Sequence, residues 1–488
     1  MIKTANIKAD QAMDTKVRTN PFSELMDLRG GARPAEDEVT ITGSDPVYPT
    51  VFRIGDTAAA VIAAIGVAVN DVWEARTGRR QKIAVDTRHA AATMRTADFT
   101  YFKDADGRYA PAPLDPLMQR MRQRTQPWPT KDGRWYLPHL NLPNLSARVL
   151  GVLECEDSPE GVRDAVARWN ADDLEEAIAK ARACGGKIRT NAEWLAHPQG
   201  RYLAQRPLIE IEKIGASDPE PFAQAARPLA GIRALDLTRI LAGPVAARTL
   251  AEHGAEVLMV TAPHLPQTPE HVRDTGHGKR SCFLDLSDAR QAAKLTDLAR
   301  GADVFSQGYR PGALAARGFG PQDLARVRPG IVYLTISCFG SGGPFADRAG
   351  WEQVAQSVTG ICAGNDAATG RPTLIHAAAC DWITGYLGAY GVLLALAKRA
   401  REGGSYHVRV SLCQSGMFIQ RQGRCLFDNP PGTGLEGLAA EEGERLQIEA
   451  DSPYGRMRFL RPVVQLSETP AAWARPTPKL GGDEARWP

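Results

Sequence analysis

The second half of this 488-residue chain alternates short apolar runs with helical runs. From Gly231 onward, strands are predicted at 232–237, 256–260, 282–286, 303–305 and 331–336, with helices at 243–253 and 290–300. Strands that alternate with helices form a parallel sheet covered on both faces, and such buried strands read as short continuous apolar runs. The pattern therefore predicts an α/β fold built on a doubly wound parallel sheet.

A helix, a turn and a strand occur twice along the chain. In the clearer copy the helical run starts at Asp381, ends before a Gly-Gly pair, and leads into an alternating strand at 408–412. At a separation of 325 residues, the difference between 381 and 56, Asp56 aligns with Asp381 and Gly78 with Gly403 without a gap. Equal lengths in the same order favour a diverged internal repeat, although any two amphipathic αβ units share part of this pattern.

The segment between the two copies has a different pattern of predicted secondary structure. A hairpin-type turn at 131–134, helical pieces from 158 to 203 and an alternating stretch at 208–214 predict a separate small α+β domain. The predicted domains are a half-copy of the repeat at 1–124, the small domain and a linker at 125–226, the large α/β domain at 227–420, a connector at 421–451, and a tail at 452–488 that packs on the large domain.

Composition excludes several classes of partner. The 59 basic and 56 acidic residues nearly cancel, so nothing requires nucleic acid. Eight cysteines without a C-x-x-C pair indicate neither a zinc site nor a disulfide framework, and they suit the reducing cytoplasm. The first 19 residues lack the apolar core of a signal peptide. No apolar run reaches membrane-spanning length without a charge or a turn, so we expect no membrane association.

Nucleotide-binding and hydrolase motifs are absent from the sequence. The glycine cluster at 340–343 is followed by Pro344 and Ala346-Asp347-Arg348 instead of a helix start, so it does not match the dinucleotide fingerprint. There is no Walker lysine and no G-x-S-x-G elbow. The cluster is either a loop beside a site or a simple turn, and turn chemistry does not separate the two.

Asp381 is the candidate for covalent chemistry. A carboxylate at a helix N-terminus is favoured in its ionised form, and an ionised carboxylate in a cleft can act as a nucleophile. Asp is also a preferred N-cap residue, in which case it would only bind backbone N–H groups. The residues of this stretch alone leave both interpretations open.

Five segments carry a more specific set of motifs. They are GIRALDLTRILAGPVAARTLAEHGAEVLMV at 231–260, GKRSCFLDL at 278–286, ADVFSQGYRPGAL at 302–314, SCFGSGGPFADRAGWEQVAQSVTG at 337–360 and HAAACDWITG at 376–385. In this order and spacing they resemble the family III CoA-transferases, the CaiB/BaiF family, and residues 462–483 resemble the family's C-terminal tail. Because the small-domain-like segment precedes the large domain, the chain resembles a rearranged, partly duplicated member.

The resemblance implies a covalent mechanism. In that mechanism an aspartate attacks the acyl-CoA thioester and is converted, through a mixed anhydride, into an aspartyl-CoA thioester that passes CoA to a carboxylic acid acceptor. The matching residue is Asp381, followed by the family-like Thr384 and Gly385. Asp56 lacks this Thr-Gly pair and is expected to be structural.

The resemblance also supplies the remaining candidate residues. Racemases of the family carry a "ghd" segment with a histidine, and the matching segment of this chain is Gly350-Trp351-Glu352. Glu352 is therefore the candidate second acid or base. The candidates for CoA binding are Ile240, Leu241, Lys279, Arg280, Tyr309, Arg310, Arg317 and Trp351, of which Lys279, Arg280 and Arg310 are the expected phosphate partners.

The function implied is an acyl-CoA:carboxylate CoA-transferase, a cytoplasmic homodimer that uses CoA thioesters as substrates and needs no other cofactor and no metal. Its partners are an acyl-CoA and a carboxylic acid. We expect one active site per chain, closed by the small domain of the same or a symmetry-related chain. The alternatives are a catalytically impaired CoA-ester-binding protein, or a CoA-ester isomerase or racemase on the same fold.

Overall fold

A computed structural model describes residues 20–111, 116–365, 370–425, 438 and 440–488. Its helices are Pro21–Arg29, Ile54–Thr77, Thr87–Thr93, Thr96–Phe99, Pro116–Arg124, Pro143–Leu153, Pro159–Val166, Ala171–Lys180, Asn191–Ala196, Pro198–Ala204, Ala242–Glu252, Pro269–Thr275, Ala289–Arg300, Ala315–Arg317, Pro321–Val327, Glu352–Thr359, Ile361–Gly364, Ala379–Glu402, Leu412–Arg421 and Ala440–Arg445. Its strands are Val39–Thr42, Ile83–Asp86, Tyr101–Lys103, Tyr109–Pro111, Trp128–Pro129, Trp135–Pro138, Gly185–Lys187, Glu210–Gly215, Arg233–Asp236, Glu256–Thr261, Lys279–Phe283, Val304–Gln307, Val332–Ser337, Ser405–Ser411, Gln447–Ser452, Gly455–Leu460 and Gln465–Leu466.

The main sheet of the described chain has seven strands and is parallel except at one edge. Its spatial order is Lys279–Phe283, Glu256–Thr261, Arg233–Asp236, Val304–Gln307, Val332–Ser337, Ser405–Ser411 and Glu210–Gly215. The first six follow the doubly wound order in which the chain runs outward in both directions from one central pair of strands. This confirms the predicted α/β fold and places the reversal of strand order between Arg233–Asp236 and Val304–Gln307.

The edge strand Glu210–Gly215 corrects the predicted domain division. The alternating stretch at 208–214 was assigned to the small domain, but it pairs antiparallel with Ser405–Ser411 and closes the large sheet. Arg409 of the neighbouring strand lies 3.3 Å from Glu210 and 2.8 Å from Glu212. Charged pairs of this kind suit an exposed edge, which has to avoid pairing with another chain.

The helix Ala379–Glu402 forms the centre of the large unit. Its residues from Ala379 to Leu396 are buried, and it packs closely on Ala242–Glu252. Gly385 permits this approach, because a Cβ atom there would lie 2.5 Å from the carbonyl oxygen of Ala242. The family-like glycine of the sequence is therefore required by helix packing.

The predicted repeat appears as two helices with matching bounds. Ile54–Thr77 and Ala379–Glu402 both have 24 residues, and a shift of 325 positions superposes their first and last residues. Gly78 and Gly403 both form the C-cap. The two helices also pack against each other.

These two helices are also long and apolar enough to cross a membrane. In the folded chain, 83% of the most apolar window of Ile54–Thr77 and 100% of that of Ala379–Glu402 are buried inside the protein. Their hydrophobicity is thus accounted for by the core that they form.

The small domain has a hydrophobic core of its own. Its sheet joins Trp128–Pro129, Trp135–Pro138 and Gly185–Lys187, and the predicted turn at 131–134 connects the first two strands. Buried Trp128, Tyr136 and Val149 belong to a cluster separate from the core of the large unit. An independent core is the mark of a separate folding unit.

The C-terminal tail contacts both halves of the chain. As expected, it packs on the large unit, where Asp483 accepts a hydrogen bond of 2.8 Å from the Ser281 backbone N–H. In addition, Gln465–Leu466 pairs with Ile83–Asp86, and Gly455–Leu460 pairs with Tyr101–Lys103 of the first half. Of the predicted connector at 421–451, residues 426–437 and 439 lie outside the described residues.

Candidate active site

A cavity of about 660 Å³ opens at the carboxyl ends of the central parallel strands. This is where doubly wound sheets bind ligands, since the loops diverge at the reversal of strand order. The large unit lines it with 237–243, 308–311, 336–338, Ala346, 348–351, Asp381 and Leu412. The small domain of the same chain adds Leu142, Asn144, Leu145, Arg148 and Arg182.

Asp381 lies in the first turn of Ala379–Glu402 and faces this cavity. The N-cap of the helix is Ala378, so the N-cap interpretation of Asp381 is wrong. Within the described part of the chain, no side chain or backbone donor lies within hydrogen-bonding distance of the Asp381 carboxylate. Asp381 as a residue is 8% exposed, so its carboxylate is buried and unengaged within the described chain.

Glu352 holds the start of the helix in place. Its Oε2 accepts the Asp381 N–H at 2.6 Å, and its Oε1 accepts the Cys380 N–H at 3.1 Å and the Gln356 side-chain amide at 2.8 Å. The Glu352 oxygens thus act as acceptors for two helix N–H groups that have no partner within the helix. Glu352 does not line the cavity, so the structure gives it a positioning role next to Asp381.

The surroundings of Asp381 act against the helix N-terminus. Burial and the neighbouring Glu352 carboxylate raise the pKa of Asp381 well above its ordinary value. The helix dipole favours the ionised form, whereas burial and a like charge act in the opposite direction. A carboxylate of raised pKa is more basic once it ionises.

The loop after the first central strand is strained at the cavity wall. Ile240 has φ of 73°, a left-handed conformation that is unfavourable for a β-branched residue. Gly243 follows closely, and a Cβ atom there would lie 2.2 Å from Thr238 Cβ. Ile240 and Leu241 both line the cavity, in agreement with their selection from the sequence. Strain of this kind is retained where the surrounding structure enforces it, commonly beside functional sites.

Three arginines of the cavity lining lie close together. Arg310 and Arg148 both donate to the Arg182 carbonyl oxygen, at 2.8 and 3.0 Å. Burial and then the repulsion of Arg182 and Arg148 lower the pKa of Arg310. Within the described residues, none of the three has a carboxylate within 4.0 Å. Uncompensated guanidinium groups that face a cavity form a site for anions such as phosphate.

Two further arginines of the cavity are engaged elsewhere. Arg239 donates to the carbonyl of Pro266, and Tyr309 lies beside it. Arg348 contacts Glu176 at 2.5 Å and stacks on Phe345, with 3.8 Å between its guanidinium carbon and the ring centroid. Sequence reasoning found Tyr309 and Arg310 but missed Arg148, Arg182, Arg239 and Arg348. Arg239 could have been found, since it follows a central strand at the reversal of strand order.

Three predicted CoA-binding residues lie away from the cavity. Lys279 is buried and paired with Asp236 at 2.7 Å. Arg280 lies at 3.5 Å from Asp483 of the tail and donates to the Arg486 carbonyl oxygen at 2.8 Å. Arg317 donates to the Leu286 carbonyl oxygen at 2.7 Å on the surface. Their expected contact with CoA receives no support from these positions.

The other sequence candidates divide between cavity and scaffold. Trp351 lines the cavity and stacks on His139 of the small domain, with ring centroids 5.1 Å apart. The glycine cluster at 340–343 is held by Gln199, whose amide donates to the Phe339 and Gly342 carbonyl oxygens at 2.7 and 2.9 Å. The cluster is therefore a turn packed against the small domain and does not line the cavity.

Comparison with known proteins agrees with this geometry. The family model CoA-transferase family III matches residues 38–220 and 229–426, which together make up most of the chain. The chain belongs to CoA-transferase family III.

Named relatives of this family III chain are transferases. An acetyl-coenzyme A transferase of Hypoxylon pulicicidum is 31% identical over 420 residues, covering 77% of this chain and 70% of that protein. A succinyl-CoA:glutarate CoA-transferase of Mus musculus is 32% identical over 210 residues, covering 40% of this chain and 48% of that protein. A solved CAIB/BAIF family protein of Brucella suis is 28% identical, with a TM-score of 0.37, over 40% of this chain and 56% of that one. The chain is therefore an enzyme of the CoA-transferase type.

Proposed function

We propose that this family III enzyme transfers CoA from an acyl-CoA to a carboxylic acid through a covalent aspartyl-CoA thioester on Asp381. The observation that carries the proposal is a buried carboxylate that has no hydrogen-bond donor among the described residues and lines the same cavity as three arginines without a carboxylate partner there. The arginines suit the phosphates of CoA, and the carboxylate suits its thioester.

In the first step, an oxygen of the ionised Asp381 attacks the thioester carbonyl carbon. The carbon–sulfur bond breaks, the CoA thiolate leaves, and a mixed anhydride of Asp381 with the acyl group remains. The thiolate then attacks the aspartyl carbonyl, which gives the aspartyl-CoA thioester and releases the acyl group as a carboxylate. An acceptor carboxylate repeats these steps in reverse order. Asp381 is thus restored and CoA is conserved.

Glu352 would support this reaction without contacting the substrate. Its carboxylate fixes the backbone of Asp381, and its negative charge disfavours the ionised form of Asp381. Burial in a site of low polarity strengthens this effect, since water does not screen the two charges. The ionised Asp381 is consequently a stronger base and a stronger nucleophile than an exposed aspartate.

The test is to trap the covalent intermediate. The full-length protein is incubated with acetyl-CoA, treated with hydroxylamine and digested, and the modified peptide is identified by mass spectrometry. We expect a hydroxamate at Asp381, together with loss of acyl exchange in Asp381→Asn. Asp56→Asn is the matched control, because Asp56 occupies the equivalent position of the repeat outside the cavity, and it should keep wild-type exchange.

The outcomes separate this proposal from the alternatives. Modification at another residue, or full exchange in Asp381→Asn, would refute the assignment of the nucleophile. Binding of acyl-CoA without exchange would indicate an impaired CoA-ester-binding protein. Rapid deuterium exchange at the α-carbon of a 2-methylacyl-CoA would indicate a racemase.

Compartment and assembly belong to the same proposal. Among the described residues, the eight cysteines form no disulfide, which agrees with the cytoplasmic location that we propose. Because the small domain of the same chain lines the cavity, the homodimer that we propose is not needed to complete the site. Sedimentation of the purified chain would measure the oligomeric state directly.

A further inference from the structure

The active-site cavity is lined by groups of opposite charge type. Arg148, Arg182 and Arg310 are basic, and Asp381 is acidic. Glu352 lies next to Asp381 outside the lining, and within the described residues no lysine, arginine or histidine nitrogen lies within 4.0 Å of either carboxylate. A carboxylate of a ligand placed beside Asp381 would therefore find no cationic partner at that point of the cavity.

The wall beside Asp381 consists of small and apolar groups. We call Cys338, Gly350, Trp351 and Leu412 the acyl wall, since all four line the cavity. The Cys338 sulfur lies 3.9 Å from the sulfur of Cys413, which follows Leu412. A Cβ atom on Gly350 would lie 2.3 Å from the Cys338 sulfur, so this residue is packed directly on the thiol.

The acyl wall adjoins the carboxylates of Asp381 and Glu352. Burial, then the Cys413 thiol, and then the Asp381 and Glu352 carboxylates raise the pKa of the Cys338 thiol well above its ordinary value. Trp351 precedes Glu352 in the chain and contacts His139 from the small domain. Burial lowers the pKa of His139 to about 4, so this imidazole is neutral near pH 7 and supplies no positive charge.

The arginines of the cavity lining have other partners in the proposed complex. The proposed function assigns Arg148, Arg182 and Arg310 to the phosphates of CoA. Arg348 is paired with Glu176, and Arg239 donates to the Pro266 carbonyl oxygen. A second carboxylate on the acyl group would lose its hydration and gain no partner. Such a group is excluded strongly, because an unpaired charge is the costliest group to bury.

We propose that the transferred acyl group is that of a monocarboxylic acid with an apolar body, and that the enzyme rejects dicarboxylic acyl-CoAs. This inference rests on the proposed function, since it names the substrate class of the same site. It identifies the acyl wall as the surface that decides between the two classes. Shape selects little here, because a hydrophobic wall discriminates weakly between neighbouring chain lengths.

Identity exchange tests the inference without knowledge of the natural acceptor. The full-length enzyme is given butyryl-CoA with labelled butyrate, or succinyl-CoA with labelled succinate, and the label that enters the CoA ester is followed. The two acids have the same number of carbons and differ in one carboxylate. We expect kcat/KM for butyryl-CoA to exceed that for succinyl-CoA by at least about 30-fold. A smaller ratio overturns the inference.

A charge placed in the acyl wall gives an independent check. Leu412→Arg should lower the butyryl-to-succinyl ratio at least about tenfold, because it supplies the missing partner for the second carboxylate. Leu195→Arg is the matched control, since Leu195 is 42% exposed and lies outside the cavity, and it should leave the ratio unchanged. If Leu412→Arg fails to fold, the wild-type ratio still decides the question. Absence of exchange with both pairs overturns the transfer reaction itself, and this inference with it.

Discussion

Replacement of Lys279 by methionine should destabilise the protein through a charge left behind in the core. Lys279 and Asp236 are both fully buried, with 2.7 Å between Nζ and Oδ2. Nζ also donates to the Pro244 carbonyl oxygen at 2.8 Å. Asp236 Oδ1 accepts from Thr238 and Ser306, so this carboxylate joins two central strands to the loop that lines the cavity.

The magnitude follows from the burial of the pair. Burial lowers the pKa of Lys279, while Asp236 opposes that shift, so the ammonium depends on its partner. Removing one member of a buried ion pair costs about 3–5 kcal/mol, because the other charge stays in the core without compensation. The lost hydrogen bond to Pro244 adds about 1 kcal/mol. We therefore expect Lys279→Met to lose at least about 3 kcal/mol of unfolding free energy.

Denaturant unfolding of three variants tests this reasoning. Lys279→Met combined with Asp236→Asn should recover at least about 2 kcal/mol, because the asparagine keeps the acceptor oxygen and carries no charge. Arg280→Met is the surface control, and it should cost no more than about 1 kcal/mol and leave the KM for acyl-CoA unchanged. A Lys279→Met protein within 1 kcal/mol of wild type, or a double variant no better than the single one, would refute the argument.

Two further predictions address the active site and the central helix. Glu352→Gln removes the like charge beside Asp381, so the pKa of Asp381 should fall. Activity rises as Asp381 loses its proton, so the acid limb of the pH–rate profile should move to lower pH. An unmoved profile would exclude this coupling. Gly385→Ala should lower the free energy of unfolding by about 1–3 kcal/mol, because its Cβ would lie 2.5 Å from the Ala242 carbonyl oxygen. Gly388→Ala, whose Cβ would have its nearest contacts at 3.4 Å, should lower it by less than about 1 kcal/mol. Thermal or denaturant unfolding measures both losses. Equal losses at the two glycines would contradict the packing argument.

The parallel sheet was predictable because its strands are continuous apolar runs between helices. One boundary was misplaced for a physical reason. The strand predicted at 282–286 lies at Lys279–Phe283, and it starts on a charged residue that apolar periodicity assigns to a loop. Lys279 is tolerated in the core only because Asp236 pairs with it from another strand. Because the two residues are 43 positions apart in the sequence, the local pattern around Lys279 does not indicate this pairing.

The candidate site was predictable where its residues belong to recognisable motifs within one segment. Asp381, Ile240, Leu241, Tyr309, Arg310 and Trp351 were selected from motifs, and all line the cavity. The N-cap interpretation of Asp381 failed because Glu352, 29 residues earlier, binds the helix N–H groups instead. Arg148 and Arg182 belong to the small domain, and only the folded chain brings them to the large unit. A sequence pattern describes single segments, whereas the arginine cluster of the cavity forms only where the two domains meet.

The two copies of the repeat explain why the chain has one candidate site. Asp56 occupies the position of Asp381, and its N–H is also bound by a second carboxylate, Asp45, at 2.7 Å. The Asp56 side chain, however, is paired with Arg53 at 2.6 Å and accepts the Asp45 N–H at 3.0 Å, so its lone pairs are engaged. Its helix lies beside a three-stranded sheet that lacks the reversal of strand order where loops diverge. Asp56 does not line the cavity around Asp381, and the first half of the chain contributes to that cavity through the small domain, which supplies Arg148 and Arg182.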